Sequence, residues 1–220
     1  MDKRSIWARG KQRGLDLLFP RKCPFCQTVT GSALLCDECG RKMIGNGEGT
    51  LHKGTFGRCA APLSYEGAAR AAILRYKFAR QMSGLDCFAQ LMASCAAEHF
   101  SGEFDAVTWI PVSKKRLRER GFDQSFYLAR GICNIWQVPV ERTLRKTVHN
   151  PAQSGLDSVE ERRSNVLGVY EALPEAELAG RRFLLVDDIL TTGATMAEAR
   201  RVLLEAGAVQ VVCLTLAATP

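Results

Sequence analysis

The chain has 220 residues, with 30 basic and 23 acidic side chains and a formal net charge of +7. Hydrophobic residues make up 46% of it, which excludes a disordered chain and supplies one domain plus a small module. No apolar run approaches the roughly 18 residues of a membrane span, so a membrane-spanning protein is excluded.

Met1 to Arg13 carry Lys3, Arg4, Arg9, Lys11 and Arg13 against one acid, Asp2. No apolar stretch with a small-residue cleavage site follows, so no secretory signal is expected and the reading is cytoplasmic. Nine cysteines, an odd count, also fit a full disulfide framework poorly. Leu15, Leu17, Leu18 and Phe19 read as a docking stretch.

Four of the cysteines form two pairs, Cys23-x2-Cys26 and Cys36-x2-Cys39, nine residues apart. Such pairs are two chelating turns that can share one tetrahedral ion. Four thiolates suit Zn²⁺ in a closed, structural shell. A module this small has little core, so metal binding would supply its folding energy. Redox-active thiols and an iron–sulfur cluster are the alternatives. Phe25 is expected to pack on this module. Residues 1–44 are therefore read as an N-terminal segment with a four-cysteine module.

Glycines 45, 47, 49, 54 and 57 make residues 45–60 a glycine-rich linker or a loose hairpin. Residues 61–220 then alternate strand-like and helix-like pieces. Ala69 to Arg80 reads as a basic helix, and Ser83 as the cap of a second helix to Phe100. Val107 to Ile110 is a short buried strand, Asp123 to Trp136 a helix, and Val138 to Leu144 a strand. Arg145 to Ser158 has no clear period. Val166 to Tyr170 suggests a strand, Phe183 to Val186 a strong one, Ala194 to Ala206 a helix and Val209 to Leu216 the last strand. This alternation predicts an α/β fold with a largely parallel sheet. Cys87, Cys95, Cys133 and Cys213 lie in apolar stretches and are read as small core residues.

The most informative segment runs from Phe183 to Thr195. Four apolar residues lead to Asp187-Asp188, and Thr191-Thr192-Gly193-Ala194-Thr195 opens a helix. Open α/β sheets bind ligands outside the carboxyl ends of their strands. A helix N-terminus offers unpaired N–H groups to a phosphate. Carboxylates accept from sugar hydroxyls or hold Mg²⁺ through water. Phosphate on one side and hydroxyls on the other describe a ribose 5-phosphate. The bland alternative is a strand–turn–helix with solvated acids. A second constellation follows Val107–Ile110: Lys114, Lys115, Arg116, Arg118 and Arg120 against Glu119. Read as a loop at a strand end, it suits a pyrophosphate.

The Phe183–Thr195 pattern resembles the phosphoribosyl pyrophosphate (PRPP) motif of type I phosphoribosyltransferases. Pro111-Val112-Ser113, Arg120-Gly121-Phe122-Asp123-Gln124, Gln153-Ser154-Gly155-Leu156, Arg163-Ser164-Asn165-Val166 and Lys77 are similar to segments of the ComF family. That family pairs the transferase-like domain with an N-terminal cysteine module, and it usually has proline at 113 and asparagine at 123. The resemblance covers roughly Leu18 to Ala218. It implies a type I phosphoribosyltransferase-like fold beside a zinc knuckle of Cys23, Cys26, Cys36 and Cys39. It also implies Mg²⁺-PRPP as ligand. Asp187 and Asp188 would hold the ribose hydroxyls, and Thr191, Thr192, Gly193, Ala194 and Thr195 the 5-phosphate. Lys114, Lys115 and Arg116 would neutralise the pyrophosphate.

Two functions follow. One is phosphoribosyl transfer to an acceptor the sequence does not name, with residues 145–158 closing over the site. The other is a non-catalytic role on single-stranded DNA beside DNA-uptake proteins, since the ComF family is associated with natural transformation. Trp7, Arg9, Lys11, Arg13 and the Lys114–Arg120 stretch are the candidate DNA contacts. Aromatics are only 8% of residues, so no base-stacking platform is evident from the sequence.

Overall fold

The computed structural model describes residues 20–44, 49–79, 81–147 and 167–220. Leu15 to Phe19, the N-terminal candidate DNA contacts, residues 148–158 of the closing stretch, and the Gln153–Leu156 and Arg163–Val166 segments lie outside them.

In chain order the elements are α1 (Asp37–Ile44), β1 (Thr50–Gly54), β2 (Gly57–Ala61), β3 (Leu63–Ser64), α2 (Gly67–Phe78) and α3 (Leu85–Phe100). Then come β4 (Ala106–Trp109), α4 (Lys114–Arg120), α5 (Gln124–Trp136), β5 (Leu144–Lys146), β6 (Tyr170–Ala172), β7 (Arg182–Leu190), α6 (Ala194–Glu205) and β8 (Gln210–Ala218). The main sheet runs β1-β2-β8-β7-β4, with β3 also paired to β8. All its pairings are parallel except β1 with β2.

Strand β7 explains the sheet's depth. Its apolar run is buried on both faces, as a central parallel strand requires. Alternate residues serve opposite faces. Leu184 and Val186 join a core with α2, α3 and α5, while Phe183 and Leu185 join a second core with α6. Cys87, Cys95 and Cys133 lie in the first core and Cys59 and Cys213 in the second, all buried.

Several elements differ from the sequence reading. The glycine-rich residues hold a regular hairpin, Thr50 to Ala61, and β2 joins the main sheet beside β8. The hairpin forms one edge of the main sheet. Val138 to Leu144 is not a strand. Pro139, its second residue, has no N–H to donate, and the stretch makes one bridge, Val140 to Val107. The strand begins at Leu144 instead and pairs antiparallel with β6. The basic stretch is a helix, not a loop. The Ser113 hydroxyl accepts from the Arg116 N–H at 3.3 Å, and Gly121 ends the helix at φ 79°.

Candidate functional site

Parallel pairing of β4 with β7 sets their carboxyl ends side by side. A cleft of about 180 Å³ opens there. It is lined by Asp187 and Asp188 from β7, by Thr191, Gly193, Ala194 and Thr195 at the start of α6, and by Lys77, Arg116, Arg120 and Lys146. The strand–turn–helix segment and part of the basic helix therefore meet in one place.

The acid pair is held tightly. Asp187 Oδ1 accepts from the Ser125 hydroxyl at 2.8 Å and from the Asp188 N–H at 2.8 Å. Both bonds fall on Oδ1, and among the described residues no hydrogen bond falls on Oδ2. Burial, then the charge of Asp188, push the Asp187 carboxyl up to about 7. Asp188 is buried, and both its oxygens are engaged. Lys77 Nζ lies 2.9 Å from Oδ1, and Gln124 Nε2 donates to Oδ2 at 3.0 Å. Lys77 comes from the last turn of α2. These carboxylates are hard oxygen donors near the carboxyl end of β7, the donor type a hydrated divalent cation takes.

The turn after β7 is shaped for close approach. Gly193 stands at φ 75° and caps α6, so the helix opens at the cleft, where Gly193, Ala194 and Thr195 line the wall. The Thr192 hydroxyl accepts from the Ala194 N–H at 3.4 Å. Thr192 shapes the turn and is not among the cleft-lining residues.

The cations sort differently from the sequence reading. Arg116 lines the cleft, but Lys114 and Lys115 line a neighbouring depression. Arg120, one turn after Arg116, takes the cleft side instead, as a helical period of 3.6 dictates. Lys146 had no local motif to reveal it. Strand β5 brings it to the junction of the two hollows, over the Tyr170 ring at 5.2 Å. Burial and the nearby Arg116 push its ammonium down to about 8. The neighbouring depression, about 890 Å³, also gathers Trp109, Phe126, Tyr127, Arg142 and Arg145. The Trp109 and Phe126 rings lie 4.8 Å apart, and those of Phe126 and Tyr127 5.4 Å. Aromatics scattered in sequence are thus assembled beside basic side chains.

Asp123 fixes the wall between the hollows. Its carboxylate accepts from Trp109 Nε1, the Val112 N–H and the Phe126 N–H, each at 3.2 Å. Burial pushes its carboxyl up, opposed by these bonds.

Away from the cleft, the sulfurs of Cys23, Cys26, Cys36 and Cys39 lie within 4.8 Å of one another. Metal–sulfur bonds of about 2.3 Å set tetrahedral sulfurs roughly 3.8 Å apart, so the four fit one ion. Phe25, between the first pair, is buried against Phe88. Among the described residues, no helix is long and apolar enough to cross a membrane.

A family model described as the phosphoribosyl transferase domain matches residues 123–220. The chain is 30% identical to competence protein F of Haemophilus influenzae over 105 residues, 47% of this chain and 45% of that protein. It is 29% identical to competence protein ComFC of Bacillus subtilis over 144 residues, 66% of this chain and 57% of that protein. It therefore spans about half the length of the curated relatives it matches. Among solved structures, adenine phosphoribosyltransferase from Leishmania donovani is similar over 82% of this chain and 66% of its own, at 12% identity and a TM-score of 0.43.

Proposed function

Because the chain belongs to the ComF family of phosphoribosyltransferase-like proteins, we propose that its cleft binds PRPP and transfers the phosphoribosyl group to an acceptor. One observation carries this reading: a single cleft joins an acid pair, a helix-opening turn and four cations. Each part matches one portion of the ligand.

The turn at Thr191, Gly193, Ala194 and Thr195 takes the 5-phosphate through backbone N–H groups and hydroxyls. Asp187 and Asp188 take the ribose hydroxyls, with Lys77 and Gln124 fixing the Asp188 oxygens. Arg116, Arg120 and Lys146 face the pyrophosphate. In the reaction the bond from the anomeric carbon to pyrophosphate breaks, and its electron pair leaves with pyrophosphate. An acceptor lone pair forms the new bond, and the acceptor's proton passes to solvent. The three cations stabilise the charge that grows on the leaving group, so catalysis is largely electrostatic and positional. Asp187 and Asp188 are the residues that would hold Mg²⁺, which would supply further charge neutralisation when bound. The cysteine knuckle holds structural zinc.

Calorimetry with PRPP and Mg²⁺ tests the binding, and mass spectrometry of products with a pool of bases tests the transfer. Unchanged PRPP binding after Asp187→Asn with Asp188→Asn would overturn the assignment. Metal analysis of the purified chain tests the zinc.

A second reading is single-stranded DNA binding in DNA uptake. The aromatic and basic depression beside the cleft favours it, since stacking rings and phosphate-binding cations are the needs of single-stranded recognition. It predicts binding that weakens steeply with salt and depends on Lys114, Lys115 and Arg142. Binding insensitive to salt would sink this reading.

A further inference from the structure

The cysteine knuckle is not a free-standing finger. Cys23, Phe25 and Cys39 belong to the same core as Ile73, Tyr76 and Phe88. The Arg75 guanidinium clamps the first cysteine turn: Nη2 donates to the carbonyls of Pro24 at 2.6 Å and Phe25 at 3.0 Å. Gln81 Nε2 adds a bond to Gln27 Oε1 at 2.7 Å. Arg75 Nε is buried without a partner, so among the described residues the guanidinium's hydrogen bonds all go to the knuckle.

The next two residues of α2 reach the acid pair. The Tyr76 hydroxyl donates to the Gln124 carbonyl at 2.8 Å, and the Gln124 amide holds Asp188 Oδ2. Lys77 pairs with Asp188 Oδ1. Both Asp188 oxygens therefore depend on a helix end whose preceding residue is anchored to the knuckle. Aromatic packing follows the same route, with Phe25 on Phe88 at 6.2 Å, Phe88 on Tyr76 at 5.8 Å, and Tyr76 on Phe122 at 5.6 Å.

We propose that metal in the four-cysteine knuckle and a ligand at the acid pair are coupled through Arg75, Tyr76 and Lys77, with Arg75 as the positioning residue. Four thiols without their ion do not hold the Pro24 and Phe25 carbonyls in place. Arg75 then loses its partners while half-buried, and the last turn of α2 shifts to regain them. Lys77 and Gln124 lose their register on Asp188. Linkage makes the effect reciprocal: ligand at the acid pair tightens metal binding. The identity of that ligand, a ribose 5-phosphate, rests on the function proposed above; the coupling itself rests on the contacts.

The test is hydrogen exchange on the full chain, zinc-loaded and after chelation. Amides in the last turn of α2 and in residues 123–126 should exchange about five-fold faster or more on stripping, while central β7 and β8 stay protected. No change in α2, or an equal loss of protection across β7 and β8, overturns the proposal. Zinc-loaded Arg75→Gln should keep its metal and reproduce the faster exchange in α2, and Arg75→Lys should fall between it and the parent. A zinc-loaded Arg75→Gln that exchanges like the parent overturns the proposal. Ribose 5-phosphate should also bind Arg75→Gln about five-fold more weakly or worse. A parent chain that binds no ribose 5-phosphate refutes the proposed function alone, because the exchange measurements need no ligand.

Discussion

The ring of Phe56 lies so close to Gly193 that a β-carbon there would come within 2.2 Å of its Cδ1. Gly193 also stands at φ 75°, in the left-handed region. Two independent constraints thus require glycine at this cleft-lining turn. The first comes from the β1–β2 hairpin, which buries Phe56 against α6 in the second core.

Gly193→Ala should therefore both strain the backbone and collide with Phe56. A left-handed alanine costs about 1–2 kcal/mol, and overpacking adds about 1–3 kcal/mol. The urea midpoint should fall accordingly, and ribose 5-phosphate affinity should drop roughly ten-fold or more as the N–H groups of α6 turn away. Adding Phe56→Ala removes the collision but not the strain. The double variant should hence regain turn geometry, read as ligand affinity, more than it regains stability.

Much of this turn was legible in the sequence. An apolar run ending in Asp187-Asp188, then threonines and glycine, names a strand end and a helix start. The spacing of Cys23, Cys26, Cys36 and Cys39 likewise announced four sulfurs gathered in one place. What the sequence hid was set by tertiary contact. Phe56 and Gly193 are far apart in the chain, and nothing local marks their meeting. Lys146 lies in a short edge ladder whose place depends on pairing with Tyr170. Lys114 and Lys115 were indistinguishable from Arg116 and Arg120 until helical rotation sorted them between two hollows.

That sorting makes a prediction. Arg120→Gln and Lys146→Gln should each weaken PRPP binding roughly ten-fold or more, since a charged hydrogen bond is worth about 1.5–3 kcal/mol. Lys114→Gln with Lys115→Gln should leave PRPP affinity within about two-fold and instead reduce single-stranded DNA retention at low salt. Calorimetry and a filter-binding salt series separate the two. Equal losses of PRPP affinity in both sets would show that the depression and the cleft act as one site.

The Lys77–Asp188 pair should behave as a buried pair, with side-chain exposures of 14% and 8%. Removing one partner strands a buried charge, at about 3–5 kcal/mol. Lys77→Met should thus cost far more stability than the exposed pair Arg145–Glu171 loses on Arg145→Ala, which is about 0–1 kcal/mol. Adding Asp188→Asn to Lys77→Met should recover part of the loss, because no charge is then left alone. Urea melts of the parent, Lys77→Met, Asp188→Asn and the double variant close the cycle.

Asp187 gives the site its pH dependence. Its carboxyl is raised from 3.8 to about 7 by burial and by the charge of Asp188. Between those values the folded chain binds more protons than the unfolded chain, so this group makes stability fall as pH rises. Asp187→Asn should accordingly raise the melting temperature at pH 7.5 and change it little near pH 4. Binding of a divalent cation to the charged carboxylate should have the opposite sign: affinity should rise as pH climbs from 6 toward 8, with proton release near pH 6.5. Calorimetry in two buffers of different ionisation enthalpy measures that proton, and Asp187→Asn should abolish its release. A parent chain whose stability runs parallel to that of Asp187→Asn between pH 5 and 7.5 would show that Asp187 is ionised throughout that range and overturn this assignment.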